Sequence, residues 1–186
     1  GHAATAYAKS SNKTGVCLVT SGPGITNMIT PMLDATNDST PLIVISGQVP
    51  THATGTNAFQ EAPAIEVSKP VTKWSYQIQH TADIPFIINK AFYIANHGKK
   101  GAVHIDIPKD ISSNLFSNYT KEVIKERNNS LFYKTPHLTK ITRIDYKQIQ
   151  RICKKINRSN KPIIYLGQGC VEYPNLLRKF AIKGNI

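Results

Sequence analysis

The chain reads as an α/β protein, a parallel sheet flanked by helices, and three observations predict it. Short apolar runs alternate with segments of helical period from residue 15 to residue 108. The run at residues 41–49 is almost continuously apolar, as strands covered on both faces are. Glycine-bearing loops follow the strand ends, where the chain turns into a helix.

Each element has its own signal. Residues 15–21 read as a buried strand, and residues 25–37 as a helix with Ile25, Met28, Ile29, Met32 and Leu33 on one face, bent at Pro31. Residues 41–49 form the next strand, and a long polar loop at 50–63 interrupts the rhythm. Residues 72–80 read as a strand. The helix at 83–96 carries Ile84, Ile87, Ile88, Ala91, Phe92 and Ala95 at helical spacing, and residues 102–108 are again a strand. Periodicity fades over residues 112–144, where Asn, Ser, Lys and Thr dominate around Pro136, the signature of a linker. A second unit follows. Residues 146–157 place Ile149, Ile152, Cys153 and Ile156 on one helical face, 162–166 read as a strand, 167–169 as a tight turn and 174–183 as a helix. The expected division is residues 1–115, a linker at 116–144, and residues 145–186.

Composition bounds the function. The chain has 186 residues, 40% of them hydrophobic, enough for one real core or parts of two. It opens on Gly1, and the helical pattern around Leu176 and Phe180 stops almost at the last residue, which predicts a piece of something longer. No apolar stretch approaches the roughly 20 residues that cross a bilayer, so no membrane span is expected. Cys17, Cys153 and Cys170 are far apart and read as small buried apolar residues in a reducing compartment. The six histidines are scattered without the spacing of a metal site, and no protein metal ligands are expected.

The formal charge of +12 invites a nucleic-acid reading. Residues 1–115 hold eight lysines, no arginine and seven acids, so nearly all the excess sits beyond residue 115. There it is interleaved with Asn, Ile and Ser, without a recognition motif, and Phe132, Tyr133 and Tyr146 are too few and dispersed to form a stacking platform. A solvated lysine-rich surface is the simpler account, and no nucleic-acid partner is expected.

Ligands of α/β sheets sit outside the carboxyl ends of strands, where helix N-termini offer free N–H groups. Three loops lie at such ends: residues 21–27, 47–60 and 167–170. Taken singly each is weak, because glycine after a strand is often only a turn. Asn27 is equally a helix cap, Gln60 and Glu61 equally solvated, and Gly167-Gln168-Gly169 lacks the third glycine of a dinucleotide fingerprint.

Together their wording is specific. "TSGPGITN", "PLIVISGQVP", "GTNAFQE", "TKWSY" and "HIDIPKD", in that order and spacing, and then "KPIIYLGQGC", closely resemble the catalytic subunit of acetohydroxyacid synthases (acetolactate synthases) among the thiamine-diphosphate enzymes. The resemblance is dense over residues 1–111 and looser over residues 161–170. It implies that residues 1–115 are most of a pyrimidine-binding domain, shortened at its N-terminus, and that residues 145–186 begin a Rossmann-like central domain. A third domain, holding the cofactor's diphosphate through Mg2+, is not represented.

The resemblance also implies roles. Pro23 would contact the aminopyrimidine and Asn27 would fix its surroundings, with Gly22 and Gly24 leaving bare main chain for a flat ring. The ring's amine would then face the thiazolium carbon that attacks the keto carbon of pyruvate. The glutamate that drives this proton chemistry would lie upstream of Gly1, so the chain alone is expected to be inactive. Val49, Pro50, Ala58, Phe59, Gln60 and Lys109 would line the channel to the reacting carbon, Gln60 giving a hydrogen bond near it. Without the resemblance, Phe59 reads equally as core and Lys109 as a solvated lysine.

Gly167, Gln168 and Gly169 would approach FAD. Lys99 stands where the family usually has an FAD-contacting arginine, a point charge replacing a planar fork. Asn57 likewise replaces an aspartate in "GTNAFQE". The activity implied is condensation of two pyruvates, or of pyruvate and 2-ketobutyrate, with loss of CO2, a first step toward branched-chain amino acids. A sibling of pyruvate-oxidase or glyoxylate-carboligase type is the alternative, against which "GQVP" with "GTNAFQE" argues. A homodimer or homotetramer is implied, a regulatory small subunit is compatible, and the compartment would be the bacterial cytoplasm, a plastid or a mitochondrion.

Overall fold

A computed structural model of the chain describes residues 1–115 and 144–186, which divide between two units, Gly1–Leu138 and Thr139–Ile186. Most of the linker expected at 116–144 lies outside the described residues.

The first unit is a four-stranded sheet in the order β1-β2-β4-β3, from β1 (Gly15–Val19), β2 (Leu42–Gln48), β3 (Trp74–Gln77) and β4 (Ala102–Pro108). Every pairing is parallel, so all four strands end at the same edge. The helices are α1 (His2–Ser11), α2 (Pro23–Thr26), α3 (Ile29–Asn37), α4 (Ala64–Ser68), α5 (Ile84–Asn96) and α6 (Lys109–Ser113). The path runs outward from β1 to β2, past β4 to β3, then back to β4 through α5. Right-handed crossovers require that reversal to change faces. Accordingly α3 and α4 pack with Leu42, Val44 and Ala102, while α5 packs Ile87, Ala91 and Ala95 on Ile43, Val103 and Ile105.

Several sequence expectations shift by a nameable cause. The helix expected over residues 25–37 is two: α2 stops at Thr26 and α3 starts at Ile29. Pro31 therefore falls in the first turn of α3, where its missing N–H costs nothing, and the bend lies before it. The new phase buries Ile25, Met32 and Ala35 and leaves Leu33 exposed. The expected buried strand at 15–21 is an edge strand, and Val16 and Leu18 are exposed because α5 covers the other three strands. The Phe92 side chain on α5 is exposed as well, and Phe86 takes its place inside.

In the second unit, α7 (Tyr146–Asn157) begins at an N-cap, Asp145. The Asp145 carboxylate accepts from the Lys147 and Gln148 N–H groups at 2.9 and 3.2 Å. Residues 162–166 do not form the expected strand: they carry no regular secondary structure, and among the described residues no partner strand lies beside them. A ladder needs two strands, and an apolar run supplies only one. A 3₁₀ turn at Gln168–Cys170 then leads to α8 (Pro174–Gly184), and neither α7 nor α8 buries a residue.

Candidate active site

At the carboxyl edge of the first unit, the loops after β1 and β2 meet. Gly22, just before α2, has φ 59° and ψ −114°, a conformation open essentially to glycine. A β-carbon there would stand 2.8 Å from the Gln60 carbonyl oxygen. Gly24 is equally tight, for its β-carbon would lie 2.9 Å from Thr20 Cγ2. Both glycines thus also serve the chain's own packing. What that packing leaves outward is Pro23, exposed at the first position of α2. Asn27 is also exposed, and it closes α2 rather than opening a helix, its N–H donating to the Pro23 carbonyl at 3.2 Å.

The loop at residues 49–62 is held at three places. At its root, Gln48 is buried, and its Nε2 donates to the Ala62 carbonyl at 3.0 Å while its Oε1 accepts from the Val49 N–H at 2.9 Å. The Thr51 N–H donates to Asp110 Oδ1 at 3.1 Å, which joins the loop to α6. At the tip, the Glu61 carboxylate is cupped by main-chain N–H groups, Gly55 on Oε1 and Ala58 on Oε2 at 3.1 Å. These donors hold Glu61 below the usual carboxylate range, Gly55 contributing most. The loop at Asn57 is therefore pinned by a carboxylate four residues later, and Asn57 itself takes φ 59°.

The result is an ordered loop with Phe59 thrust outward. Phe59 is 90% exposed, which removes the core-packing reading of that side chain. Ala58 and Gln60 are half-buried beside it, Val49 is buried, Pro50 is half-buried, and Lys109 is exposed at the start of α6. Pro23, Asn27, Val49, Pro50, Ala58, Phe59, Gln60 and Lys109 therefore share one edge of one sheet. Of the FAD candidates, Lys99 precedes β4 at the opposite end of the sheet, and Gly167, Gln168 and Gly169 belong to the second unit. A β-carbon at Gly167 or Gly169 would meet nothing within 4 Å, so neither glycine is required by packing.

Beneath the loop runs a buried polar chain that sequence reasoning missed. Ser46, His104 and Asp106 are wholly buried on the face of the sheet that packs against α3 and α4. Ser46 Oγ donates to Asp106 Oδ1 at 2.6 Å and lies 2.8 Å from His104 Nε2. Ser68 Oγ lies 2.8 Å from His104 Nδ1. With the Ser46 proton given to Asp106, the imidazole donates through Nε2 and accepts at Nδ1. Burial depresses His104 to about 4, consistent with a neutral ring. Burial also raises the Asp106 carboxyl, against three hydrogen bonds from Ser46, Gln77 and Gln48. The trio resembles a nucleophilic triad in composition only, since the serine is sealed from solvent and bonded to the aspartate. Its signal in the sequence was polar residues at every second position within "HIDIP" and "ISGQ".

A parallel α/β unit with a glycine-proline turn packed against a glutamine-bearing loop at its carboxyl edge is consistent with the N-terminal domain of the thiamine-diphosphate enzymes. Residues 1–67 match the family described as "Thiamine pyrophosphate enzyme, N-terminal TPP binding domain". The chain is moreover a homologue of acetolactate synthase catalytic subunits. It is 39% identical over 97% of its length to the mitochondrial catalytic subunit of Aspergillus candidus. It is 40% identical over 96% to the chloroplastic acetolactate synthase of Arabidopsis thaliana, and 44% over 90% to the large subunit of Lactococcus lactis. The chain spans about a quarter of the length of these relatives, 26, 26 and 28%.

The residues present fit one half of such a cofactor. Pro23, exposed at the first position of α2, suits a flat heteroaromatic ring. Three acids near this edge are otherwise committed: Glu61 to loop amides, Asp110 to Thr51, and Asp106 to buried donors. Among the described residues no group of three His, Cys, Asp or Glu side chains is placed to hold a metal ion.

Proposed function

We propose that this chain forms the pyrimidine-holding and substrate-facing part of a thiamine-diphosphate-dependent carboligase that condenses two pyruvates, or pyruvate and 2-ketobutyrate, to an acetohydroxy acid with loss of CO2. The observation that carries it is the contact of Gly22 with Gln60, which sets Pro23 and residues 58–60 side by side at the carboxyl edge. The relatives' printed names supply the direction of the chemistry.

When bound, thiamine diphosphate supplies the carbon nucleophile and the electron sink. The chain's own residues orient and select. Pro23 carries the ring, and Asn27 closes the turn behind it. Val49, Pro50, Ala58 and Phe59 form an apolar wall sized for a short ketoacid. Gln60 supplies a neutral hydrogen bond near the reacting carbon, and Lys109 places a cation where the ketoacid carboxylate enters. Mg2+ and the diphosphate belong to a part of the complete protein that the chain does not contain. FAD is a further cofactor of this reading, with Lys99 of the first unit and, separately, Gly167, Gln168 and Gly169 of the second as its candidate contacts; a lysine offers one point of contact where an arginine offers a fork. A homodimer or homotetramer supplies the diphosphate-holding half, and a regulatory subunit suits relatives named as catalytic or large subunits.

The test is product analysis on the complete protein with pyruvate, thiamine diphosphate and Mg2+. Acetolactate as the main product is the expected result. Acetate, acetyl phosphate or tartronate semialdehyde from the matching substrates would place it among the sibling enzymes instead.

A further inference from the structure

Gln48, the last residue of β2, is 6% exposed and spends its whole amide on the loop that follows. Its Oε1 takes the Val49 N–H at 2.9 Å, and its Nε2 reaches the Ala62 carbonyl at 3.0 Å. One side chain thereby ties the first amide of a long loop to its last carbonyl. Closing such a loop costs entropy that grows with the logarithm of its length, and a buried amide with both ends satisfied offsets that cost in one register.

The amide cannot be turned over, because the Val49 N–H needs an acceptor and the Ala62 carbonyl a donor. Asp106 reinforces that orientation: its Oδ2 lies 3.3 Å from Gln48 Nε2, and a carboxylate accepts but does not donate. Asp106 is in turn held by Ser46 on Oδ1 at 2.6 Å and by Gln77 on Oδ2 at 3.0 Å, from the strands either side of its own. Neither Gln48 nor Asp106 belongs to the substrate wall, yet the position of residues 49–62 follows from their pairing.

We propose that Gln48, braced by Asp106, is the positioning residue that sets the 49–62 loop against Gly22 and thereby fixes the substrate wall. The proposal rests on the reading of this edge as the ketoacid channel. It assigns no chemistry to either side chain: both act by where they hold Val49, Ala62 and the residues between.

The experiment uses the complete protein with Gln48→Met, which keeps length and removes every hydrogen bond, and with Asp106→Asn and Asp106→Leu as a graded pair. Amide hydrogen exchange is read at residues 49–62 and, separately, in β2 and β4. Gln48→Met is expected to speed loop exchange about tenfold while the strands keep their protection. Asp106→Asn, which retains an acceptor, is expected to lie closer to the unaltered protein than Asp106→Leu. In turnover, the KM for pyruvate rises by on the order of ten- to a hundredfold, as misplacement of a wall does, and thiamine-diphosphate affinity stays within about twofold. Unchanged loop exchange in Gln48→Met overturns the proposal, and so does equal loosening of loop and strands. A loosened loop with an unchanged KM overturns it as well. If the unaltered protein neither binds thiamine diphosphate nor consumes pyruvate, the functional reading fails by itself, and the exchange comparison still decides whether Gln48 holds the loop.

Discussion

Gly22 and Gln60 meet backbone to backbone, with φ of 59° and 60°, so closely that a β-carbon on Gly22 would stand 2.8 Å from the Gln60 carbonyl oxygen. Two loops from neighbouring strands are thus locked through main chain, and the lock has no room for a side chain. Gly22→Ala adds the strain of a conformation alanine rarely adopts, about 1–3 kcal/mol, and displaces Gln60. The expected outcome in the complete protein is a lower urea midpoint together with weakened thiamine-diphosphate binding. Unchanged cofactor affinity would separate the turn from the site.

The Glu61 carboxylate tests whether the loop tip is held by charge. Glu61→Gln keeps the shape of the side chain and turns charge-assisted bonds to the Gly55 and Ala58 N–H groups into weaker neutral ones. Limited proteolysis is expected to cut within residues 54–58 sooner in the variant, with little change in global stability because the nest is at the surface. The folded carboxylate titrates lower than the unfolded one, so its contribution is present above the ordinary value near 4.5 and is lost as pH falls through the folded value. Acidification should therefore reproduce the variant's susceptibility in the unaltered protein.

How much of this was legible depended on apolar contrast. β2, α5 and β4 lie within a residue or two of the expected ranges, because Leu42–Gln48, Ile84–Asn96 and Ala102–Pro108 carry strong, unambiguous periodicity. Helix α1 was not foreseen: His2–Ser11 buries only Thr5 and Ala8, too small and too few to draw a stripe. Helix α4, Ala64–Ser68, is too short for any period to show. The loops of the site stood out through Gly22, Pro23, Gln48 and Pro50, but what joins them did not, since Gln60 meets Gly22 across 38 positions of sequence. Ser46, His104 and Asp106 escaped for a related reason. A polar residue in an apolar run reads as the wet face of a strand, and only the packing of α4 turns that face inward.

Phe59 separates function from stability. At 90% exposure it contributes almost nothing to the core, so Phe59→Ala should leave the unfolding midpoint within about 0.5 kcal/mol of the unaltered protein. As part of the wall it should matter to the ketoacid, and an increase in KM of about tenfold is expected with the fold intact. Steady-state kinetics beside a thermal melt checks both halves. A large loss of stability would mean that the phenylalanine packs on something that the exposed loop does not reveal.

The deepest titratable group gives the last prediction, and its sign follows from burial. His104 is fully buried between Ser46 and Ser68, with its folded value near 4 against an ordinary 6.5. Between those values the unfolded chain binds more protons than the folded one, so stability rises with pH across that window and is lost as pH falls from 6.5 toward 4. At about 1.4 kcal/mol per pH unit the imidazole alone accounts for up to roughly 3 kcal/mol. Asp106 acts in the opposite sense. Its raised carboxyl stabilises the fold below the ordinary 3.8, and that contribution fades as pH rises through the folded value, which flattens the lower end of the slope. Urea midpoints at several values between pH 4.5 and 7.5, for the unaltered protein and for His104→Leu, isolate the imidazole. The variant loses stability at neutral pH by about 1–3 kcal/mol, because Ser46 and Ser68 lose a partner in a sealed site. Its midpoints should then vary less with pH than those of the unaltered protein, and parallel curves would mean that His104 is not the group that titrates.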